Sequence, residues 1–272
     1  MTVLAGVIGD PIAQSRSPRL HGHWLHRYGI DGHYVPLHVT PENLQATLRL
    51  LPDLGFRGLN CTIPHKEAVF HLADDVTDRA RAVQAANTLT FADDGRILAD
   101  NTDGFGFIAN LDQQVPDRDT DAAALVLGAG GAARGIVAAL LDAGTPQVTI
   151  ANRTTTRAAA LADLFDGRVT TIDWDEAPAA LSDHRLLINT TSLGMTGQPP
   201  LHFDLAGLQP DTTVTDIVYA PLTTPLLHDA QLRGAKVADG LGMLLHQAVP
   251  GFERWFGHTP TVDDALRRAV LA

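Results

Sequence analysis

The chain has 272 residues, of which 45% are hydrophobic and 19% charged, with a formal net charge of −11; this is the profile of a globular protein long enough for two domains. The charge argues against a general nucleic-acid binder, which needs clustered cations against phosphate, and no apolar run approaches the roughly 20 residues that span a bilayer. The single cysteine, Cys61, excludes an intrachain disulfide and fits a reducing compartment, the cytoplasm.

The opening apolar run, Val3–Ile8, follows no basic segment and reads as a first strand rather than a signal peptide. Pro18 opens a helix reaching about Tyr28. Within it His21, His23 and His26 would spread around the helix, so no metal site is expected and the rings are assigned to a partly exposed helix surface. His33–Val39 alternates as a strand. Thr40-Pro41-Glu42 starts a helix, with Thr40 as N-cap and Leu44, Leu48 and Leu51 at helical spacing. Phe56–Asn60 is a strand, Lys66–Leu72 and Asp78–Gln84 are helical, and Thr88–Phe91 with Arg96–Ala99 forms a hairpin turned by Asp93-Asp94-Gly95.

A polar stretch from Asp112 to Asp121 leads into a second run. Its strands are Ala123–Leu127, Gln147–Ala151, Arg168–Ile172, Leu186–Asn189, Val214–Ile217 and Lys236–Ala238; helices lie at Gly131–Ala143, Thr155–Phe165 and after Thr224-Pro225. This βαβ order implies a parallel, doubly wound sheet. Two helices without a strand follow, about Leu241–Phe256 and one opened by the capping-box pattern Thr261-Val262-Asp263-Asp264.

Gly128-Ala129-Gly130-Gly131-Ala132-Ala133 is the strongest local motif, a G-x-G-x-x-A placed directly after a strand and before a helix. The first glycine permits the turn, the second lets backbone approach a pyrophosphate, and the small Ala133 permits close helix packing. The phosphates then rest on the helix N-terminus, where free N–H groups favour negative charge. An NAD site places an acid at the end of the next strand for the ribose 2′-hydroxyl. Here that strand ends in Asn152-Arg153-Thr154, with Arg157 one turn on. Two guanidinium groups without a carboxylate suit the 2′-phosphate of NADP.

Polar clusters stand at the strand ends of the first domain: Ser15-Arg16-Ser17-Pro18, Asn60-Cys61-Thr62 running on to His65-Lys66, Asn87-Thr88, and Asp100-Asn101-Thr102-Asp103. Ligands of open α/β sheets bind beyond the carboxyl ends of strands, so Ser15, Ser17, Asn60, Thr62, Asn87 and Asp103 are expected around a polyhydroxylated acid. Ketone reduction needs a proton donor beside the hydride. Lys66 and Asp103 are candidates as a pair, with a structural salt bridge as the equal alternative and His65 as a rival donor.

Gly9-Asp10-Pro11-Ile12, Ser15-x-Ser17-Pro18, Asn60-x-Thr62-Ile63-Pro64-His65-Lys66 and Asn101-Thr102-Asp103-Gly104 resemble the shikimate dehydrogenase family. So do the stretches Asn189–Met195, Asp216–Tyr219 with Pro221–Leu227, and Asp239–Ala248, in order along nearly the whole chain. The resemblance implies an α/β fold of two domains: a substrate domain of residues 1–103 plus 241–272, and a Rossmann-type NADP domain of residues 104–240. It implies reduction of 3-dehydroshikimate to shikimate with NADPH, in aromatic amino-acid biosynthesis, by a cytoplasmic monomer or homodimer. Lys66 and Asp103 would be catalytic. Ser15, Ser17, Asn60, Thr62, Asn87, Asp103 and Gln247 would surround the substrate with Tyr219 nearby; Thr190, Ile217, Gly240 and Met243 would join the cofactor loop. Cys61 stands where valine is usual in the family, facing away from its neighbours. Two alternatives remain: a quinate/shikimate dehydrogenase of broader specificity, and a non-catalytic NADPH-binding sensor.

Overall fold

The computed structural model describes residues 2–165 and 167–272. These fall into two units, one built from residues up to Thr102 together with Leu245–Ala272, the other from Asp103–Leu244.

The first unit holds β1 (Val3–Gly9), α1 (Ser17–Arg27), β2 (Gly32–His38), α2 (Leu44–Leu50), β3 (Phe56–Cys61), α3 (Lys66–Leu72), β4 (Asp75–Val76), α4 (Asp78–Val83), β5 (Thr88–Phe91) and β6 (Ile97–Asp100). Its sheet runs β2-β1-β3-β5-β6-β4. The edge strand β2 alternates in burial and carries Pro36, which an edge position tolerates. β5 runs antiparallel to both β3 and β6, with Asn60 opposite Thr88 and Thr88 opposite Asp100. That reversal brings the start of β5 beside the ends of β3 and β6, which gathers Asn60, Asn87 and Thr102 at one end of the strands.

The second unit starts with α5 (Asp103–Gln114) and continues through β7 (Ala124–Leu127), α6 (Gly131–Asp142), β8 (Val148–Asn152), α7 (Thr155–Ala162), β9 (Val169–Asp173), α8 (Ala177–Ala180), β10 (Leu186–Asn189), β11 (Thr213–Asp216), α9 (Pro225–Leu232) and β12 (Lys236–Ala238). All six strands are parallel, in the order β12-β11-β10-β7-β8-β9. Side chains alternate across a strand: Ala124 and Val126 enter one core with Phe107, Ile136 and Leu161, while Leu125 and Leu127 enter another with Ala177, Leu226 and Ala230. Both faces of the sheet are therefore covered by helices, which is the doubly wound arrangement.

The tail departs from the expected pattern twice. Residues 241–256 form two helices, α10 (Leu241–Gln247) and α11 (Val249–Phe256), rather than one. Pro250 lies in the first turn of α11, where its missing N–H costs nothing; in a continuous helix its ring would clash with the carbonyl one turn back. The last helix, α12 (Asp264–Leu271), is capped by Asp263, whose carboxylate accepts from Leu266 N at 3.0 Å, not by Thr261. Thr261 is engaged elsewhere, its N–H donating to the Tyr28 hydroxyl and its carbonyl accepting from Trp24 Nε1. Thr40 likewise starts a short 3-10 turn, Pro41–Asn43, ahead of α2, with its hydroxyl on the Asn43 side chain and not on backbone. Among the described residues no helix is long and apolar enough to cross a membrane.

Candidate active site

In the first unit the strand-end side chains are tied to one another. Asn60 Nδ2 donates to the Asn87 carbonyl at 3.2 Å and to Thr88 Oγ1 at 3.1 Å, and its Oδ1 accepts from the Tyr34 hydroxyl at 2.7 Å. Asn87 is buried; its Oδ1 accepts from Thr102 N at 2.9 Å and from Thr88 Oγ1 at 3.0 Å, and its Nδ2 donates to Gln247 Oε1 at 2.9 Å. A side chain from the chain's tail is thus bonded into the strand ends of the N-terminal sheet. Ser15 and Ser17 are half-buried, and the Ser15 hydroxyl accepts from Ser17 N at 3.3 Å. Arg16 between them points away and donates to the Val270 carbonyl of α12. Thr62 is half-buried, its backbone held by Ile8 O. Lys66 is half-buried as the first residue of α3, and its carbonyl is fixed by Ala86 N at 2.8 Å.

Two histidines prove structural. His65 is buried with Nε2 at 2.7 Å from the Val39 carbonyl, so it is turned into the fold and is no proton donor to a substrate. His21 is not on the helix surface: it is fully buried and stacked on Tyr34, centroids 3.9 Å apart. Neither ring nitrogen finds a partner of hydrogen-bond geometry among the described residues. Burial drives its pKa down to about 3, against a weak opposing influence of the Asn60 amide, so the ring is neutral. Burial also raises the Tyr34 pKa well above its usual value, which keeps the phenol a donor. Among the described residues no His, Cys, Asp and Glu cluster could hold a metal.

Sequence reading missed Tyr34 and the bonding role of Thr88 and Thr102. Asp100, read only as part of a strand-end polar cluster, is fully buried under a bidentate Arg79 at 2.7 and 2.6 Å, Thr77 at 2.8 Å and Arg254 of α11 at 2.7 Å. Burial alone would raise its pKa; the Arg79 bonds, with Thr77 and Arg254, overcome it and bring the value to about 2. The signal was the partner count: one buried acid within reach of two arginines far apart in sequence cannot be read from spacing.

In the second unit the loop after β7 takes the conformation its glycines permit. Gly128 has φ of +108°, and a Cβ there would lie 2.8 Å from Thr190 Oγ1. Thr190 itself is pinned, its N–H and hydroxyl both donating to the Leu127 carbonyl. Ala133 is fully buried, as close helix packing requires. Ala129 and Ala132 are half-buried, whereas Gly130 and Gly131 are exposed with open space where a Cβ would stand. α6 has Gly130 at its N-cap, with no side-chain cap and no acid in its first turn, so its leading N–H groups face this open loop. At the end of β8, Asn152 Nδ2 donates to the Thr154 carbonyl at 2.8 Å and shapes the turn. Arg153, Thr154 and Arg157 are exposed, and no carboxylate among the described residues pairs with either guanidinium. Asp173, opposite Asn152 on β9, is occupied in a capping box with Glu176. An uncapped helix start, an open glycine loop and two unpaired arginines fit a dinucleotide with a 2′-phosphate.

The remaining residues frame the ends of β10, β11 and β12. Ile217 N donates to the Asn189 carbonyl, and Gly240 passes so near Ile217 that a Cβ would stand 2.4 Å from its oxygen. Tyr219 is half-buried; Met243 is half-buried against the core. Beneath them Asp216, fully buried, accepts from Asn189 Nδ2 at 2.9 Å, Val218 N at 2.9 Å and Thr224 Oγ1 at 2.8 Å. Burial raises its pKa to about 6 despite these bonds from Val218, Asn189 and Thr224. Asp103 is buried at the head of α5.

Three family models match this chain: the shikimate dehydrogenase substrate binding domain over residues 7–89, shikimate/quinate 5-dehydrogenase over 110–195, and the shikimate 5′-dehydrogenase C-terminal domain over 240–271. The chain belongs to the shikimate dehydrogenase family. It is 61% identical over 270 residues to a shikimate dehydrogenase (NADP(+)) of Jannaschia sp., covering 99% of this chain and 97% of that one. Among solved structures it is similar to the Thermus thermophilus shikimate 5-dehydrogenase in complex with NADP(H) and shikimate, with TM-score 0.88 and 34% identity over 99% of this chain and 100% of that one. It is similar also to the Corynebacterium glutamicum quinate dehydrogenase in complex with NAD, with TM-score 0.92 and 31% identity over 99% of each. The family's two-domain α/β architecture with its parallel cofactor sheet is the one seen here.

Proposed function

We propose that this chain is an NADP-dependent shikimate dehydrogenase, reducing 3-dehydroshikimate reversibly to shikimate. The observation that carries the cofactor choice is the end of β8, where Arg153 and Arg157 are exposed with no carboxylate partner among the described residues and the neighbouring acid, Asp173, is held in its own cap. Gly128–Ala133 would hold the pyrophosphate, and Asn152, Arg153, Thr154 and Arg157 the adenosine side. Thr190, Ile217, Gly240 and Met243 would line the remainder. Bound NADPH supplies the hydride.

The residues of the chain supply binding and the proton. Ser15 and Ser17 donate hydroxyl hydrogen bonds to the substrate carboxylate. Thr62, Asn87, Gln247 and Tyr219 meet its ring hydroxyls. Asn60 spends both amide protons on Asn87 and Thr88, so its contribution is to hold the others in place. Lys66 donates the proton to the reacting oxygen or stabilises its negative charge, and the Asp103 carboxylate accepts from a substrate hydroxyl and orients it. The enzyme works in the cytoplasm as a monomer or homodimer.

The test is initial-rate oxidation of shikimate and of quinate, each with NADP and with NAD. Shikimate with NADP is expected to dominate. Comparable rates with quinate and NAD would favour a broader quinate/shikimate dehydrogenase, a reading that the likeness to the NAD-bound quinate enzyme keeps in view. No turnover with any of the four pairs would leave a cofactor-binding sensor.

A further inference from the structure

The hydrogen bonds at the strand ends of the first unit run in one direction. The Tyr34 hydroxyl donates to Asn60 Oδ1, Asn60 Nδ2 to Thr88 Oγ1, Thr88 Oγ1 to Asn87 Oδ1, and Asn87 Nδ2 to Gln247 Oε1. Two backbone groups fix that direction. The Asn87 carbonyl can only accept, so the edge of the Asn60 amide facing it, 3.2 Å away, is the NH₂ edge. The Thr102 N–H can only donate, so the edge of the Asn87 amide at 2.9 Å is the oxygen. Side-chain amides are otherwise assigned by their surroundings; here the backbone decides. Thr102 Oγ1 lies 3.1 Å from Asn87 Oδ1 and 3.2 Å from Thr88 Oγ1, so whichever threonine hydroxyl turns inward, a proton ends on the Asn87 oxygen.

We propose that Thr88 and Tyr34 are positioning residues of the substrate site: the Thr102 N–H sets the polarity of the Asn87 amide, and the one-way relay that Thr88 and Tyr34 form with Asn60 holds that amide, and through it the Gln247 amide, in place, so that Gln247 offers a ligand only N–H donors. Asn87 presents an N–H to Gln247, whose carbonyl must therefore accept. The free end of Gln247 is then its NH₂ group, which no described residue accepts from. The group it recognises is an acceptor, a hydroxyl or carboxylate oxygen. Turning either amide over would set N–H against N–H in a buried place, at the cost of an unsatisfied donor. Thr88 is fully buried and never reaches a ligand, and the Tyr34 ring is clamped by the neutral His21 stacked on it, so both act through others.

This inference rests on the shikimate reading for its kinetic test, and a ligand-free measurement keeps the two separable. Thr88→Val keeps the shape and removes the hydroxyl; Thr88→Ser keeps the hydroxyl. Losing the relay bond should raise KM for shikimate about 5- to 20-fold, with kcat within about threefold and KM for NADP unchanged. Thr88→Ser should restore KM to within about twofold, and in a Gln247→Ala background Thr88→Val should add less than about twofold, because its effect passes through Gln247. Unchanged KM in Thr88→Val, no rescue by serine, or an undiminished effect without Gln247 each overturns the proposal. Should Thr88→Val not fold, Tyr34→Phe is read by the same criteria. In the ligand-free protein, the Asn60 and Asn87 side-chain NH₂ signals should exchange slowly with water in wild type and Thr88→Ser, and faster in Thr88→Val. Fast exchange in the wild type overturns the relay, whereas a wild type inert toward shikimate with slow amides overturns the substrate reading alone.

Discussion

In the first unit the polar side chains at the strand ends are buried or half-buried and bonded to one another, from Tyr34 through Asn60, Thr88 and Asn87 to Gln247. In the second unit the groups assigned to the phosphates are exposed: Gly130 and Gly131 are open to space, and Arg153 and Arg157 have no carboxylate partner among the described residues. The contrast follows from what each must recognise. A ring bearing several hydroxyls is told from its relatives by donors and acceptors of fixed polarity, and polarity is fixed only by bonding each group on its far side. A phosphate is recognised by charge and by backbone N–H groups whose direction the helix already sets, so side chains there need no second layer.

The largest effect should come from Lys66, the proposed proton donor. Lys66→Ala should lower kcat by about 10²–10⁴-fold, the range for a removed acid–base group, with a much smaller change in KM. Near-normal kcat in a variant with native circular dichroism would reassign Lys66 to a structural ion pair. The next largest lies on the open side. Wild type should prefer NADP over NAD by at least about 100-fold in kcat/KM, since charge-assisted bonds to a phosphate are worth about 1.5–3 kcal/mol each. Arg153→Ala should erase much of that preference by weakening NADP and sparing NAD. Equal use of both cofactors by the wild type would remove the phosphate pocket from the account.

Titration separates the two units by sign. His21 is neutral in the fold with a pKa of about 3, against 6.5 unfolded, so the unfolded chain takes up the proton first and the first unit loses stability as pH falls below about 6.5. Asp216 has a folded pKa of about 6 against 3.8 unfolded, so the fold takes up the proton first. Its stabilising contribution is full below about 3.8 and is lost as pH rises through 6, and acidification therefore favours the second unit. From pH 7 to pH 5 each contribution is about 1–2 kcal/mol, in opposite directions. Hydrogen exchange, corrected for intrinsic rates, should show protection falling in β1 and β3 while it rises in β10 and β11. His21→Phe should flatten the first trend and Asp216→Asn the second; parallel trends in both sheets would contradict the assignment.

The two regions also differ in how far the sequence discloses them. The cofactor loop is contiguous, so Gly128–Ala133 and Asn152–Arg157 could be placed on a strand–turn–helix and a strand end from spacing alone, and β10, β12 and α3 agree residue for residue with the sequence reading. The polar relay is assembled from β2, β3, β5, the end of β6 and α10, and its members Tyr34 and Thr88 are ordinary strand residues by propensity. What joins them is the antiparallel insertion of β5, a topological fact that no local pattern carries. The burial of His21 has the same origin: its helical position is visible, but the rings of Tyr34, Phe252 and Trp255 around it come from separate segments. The break between α10 and α11 has a local mark, Pro250 in the first turn of α11.

The smallest effect expected tests whether the first unit depends on its tail. Asp263 caps α12 by accepting from Leu266 N at 3.0 Å, and it meets Arg27 of α1 at 2.6 Å. Its pKa is lowered, by the Leu266 bond first and Arg27 next. The Arg27 pair is exposed and contributes little, so the cap dominates and Asp263→Ala should cost about 1 kcal/mol of stability, the usual worth of an N-cap. Asp263→Asn keeps an accepting oxygen and should recover most of that loss. At its other end α12 offers the Val270 carbonyl to Arg16, the residue between the two serines. Fraying of α12 should therefore reach the serine turn and raise KM for shikimate by about twofold, a fraction of a kcal/mol, with NADP affinity untouched. Calorimetric melting with both ligand affinities decides it: an equal loss of NADP binding would show that the tail supports the whole molecule and not the polar, pre-bonded half alone.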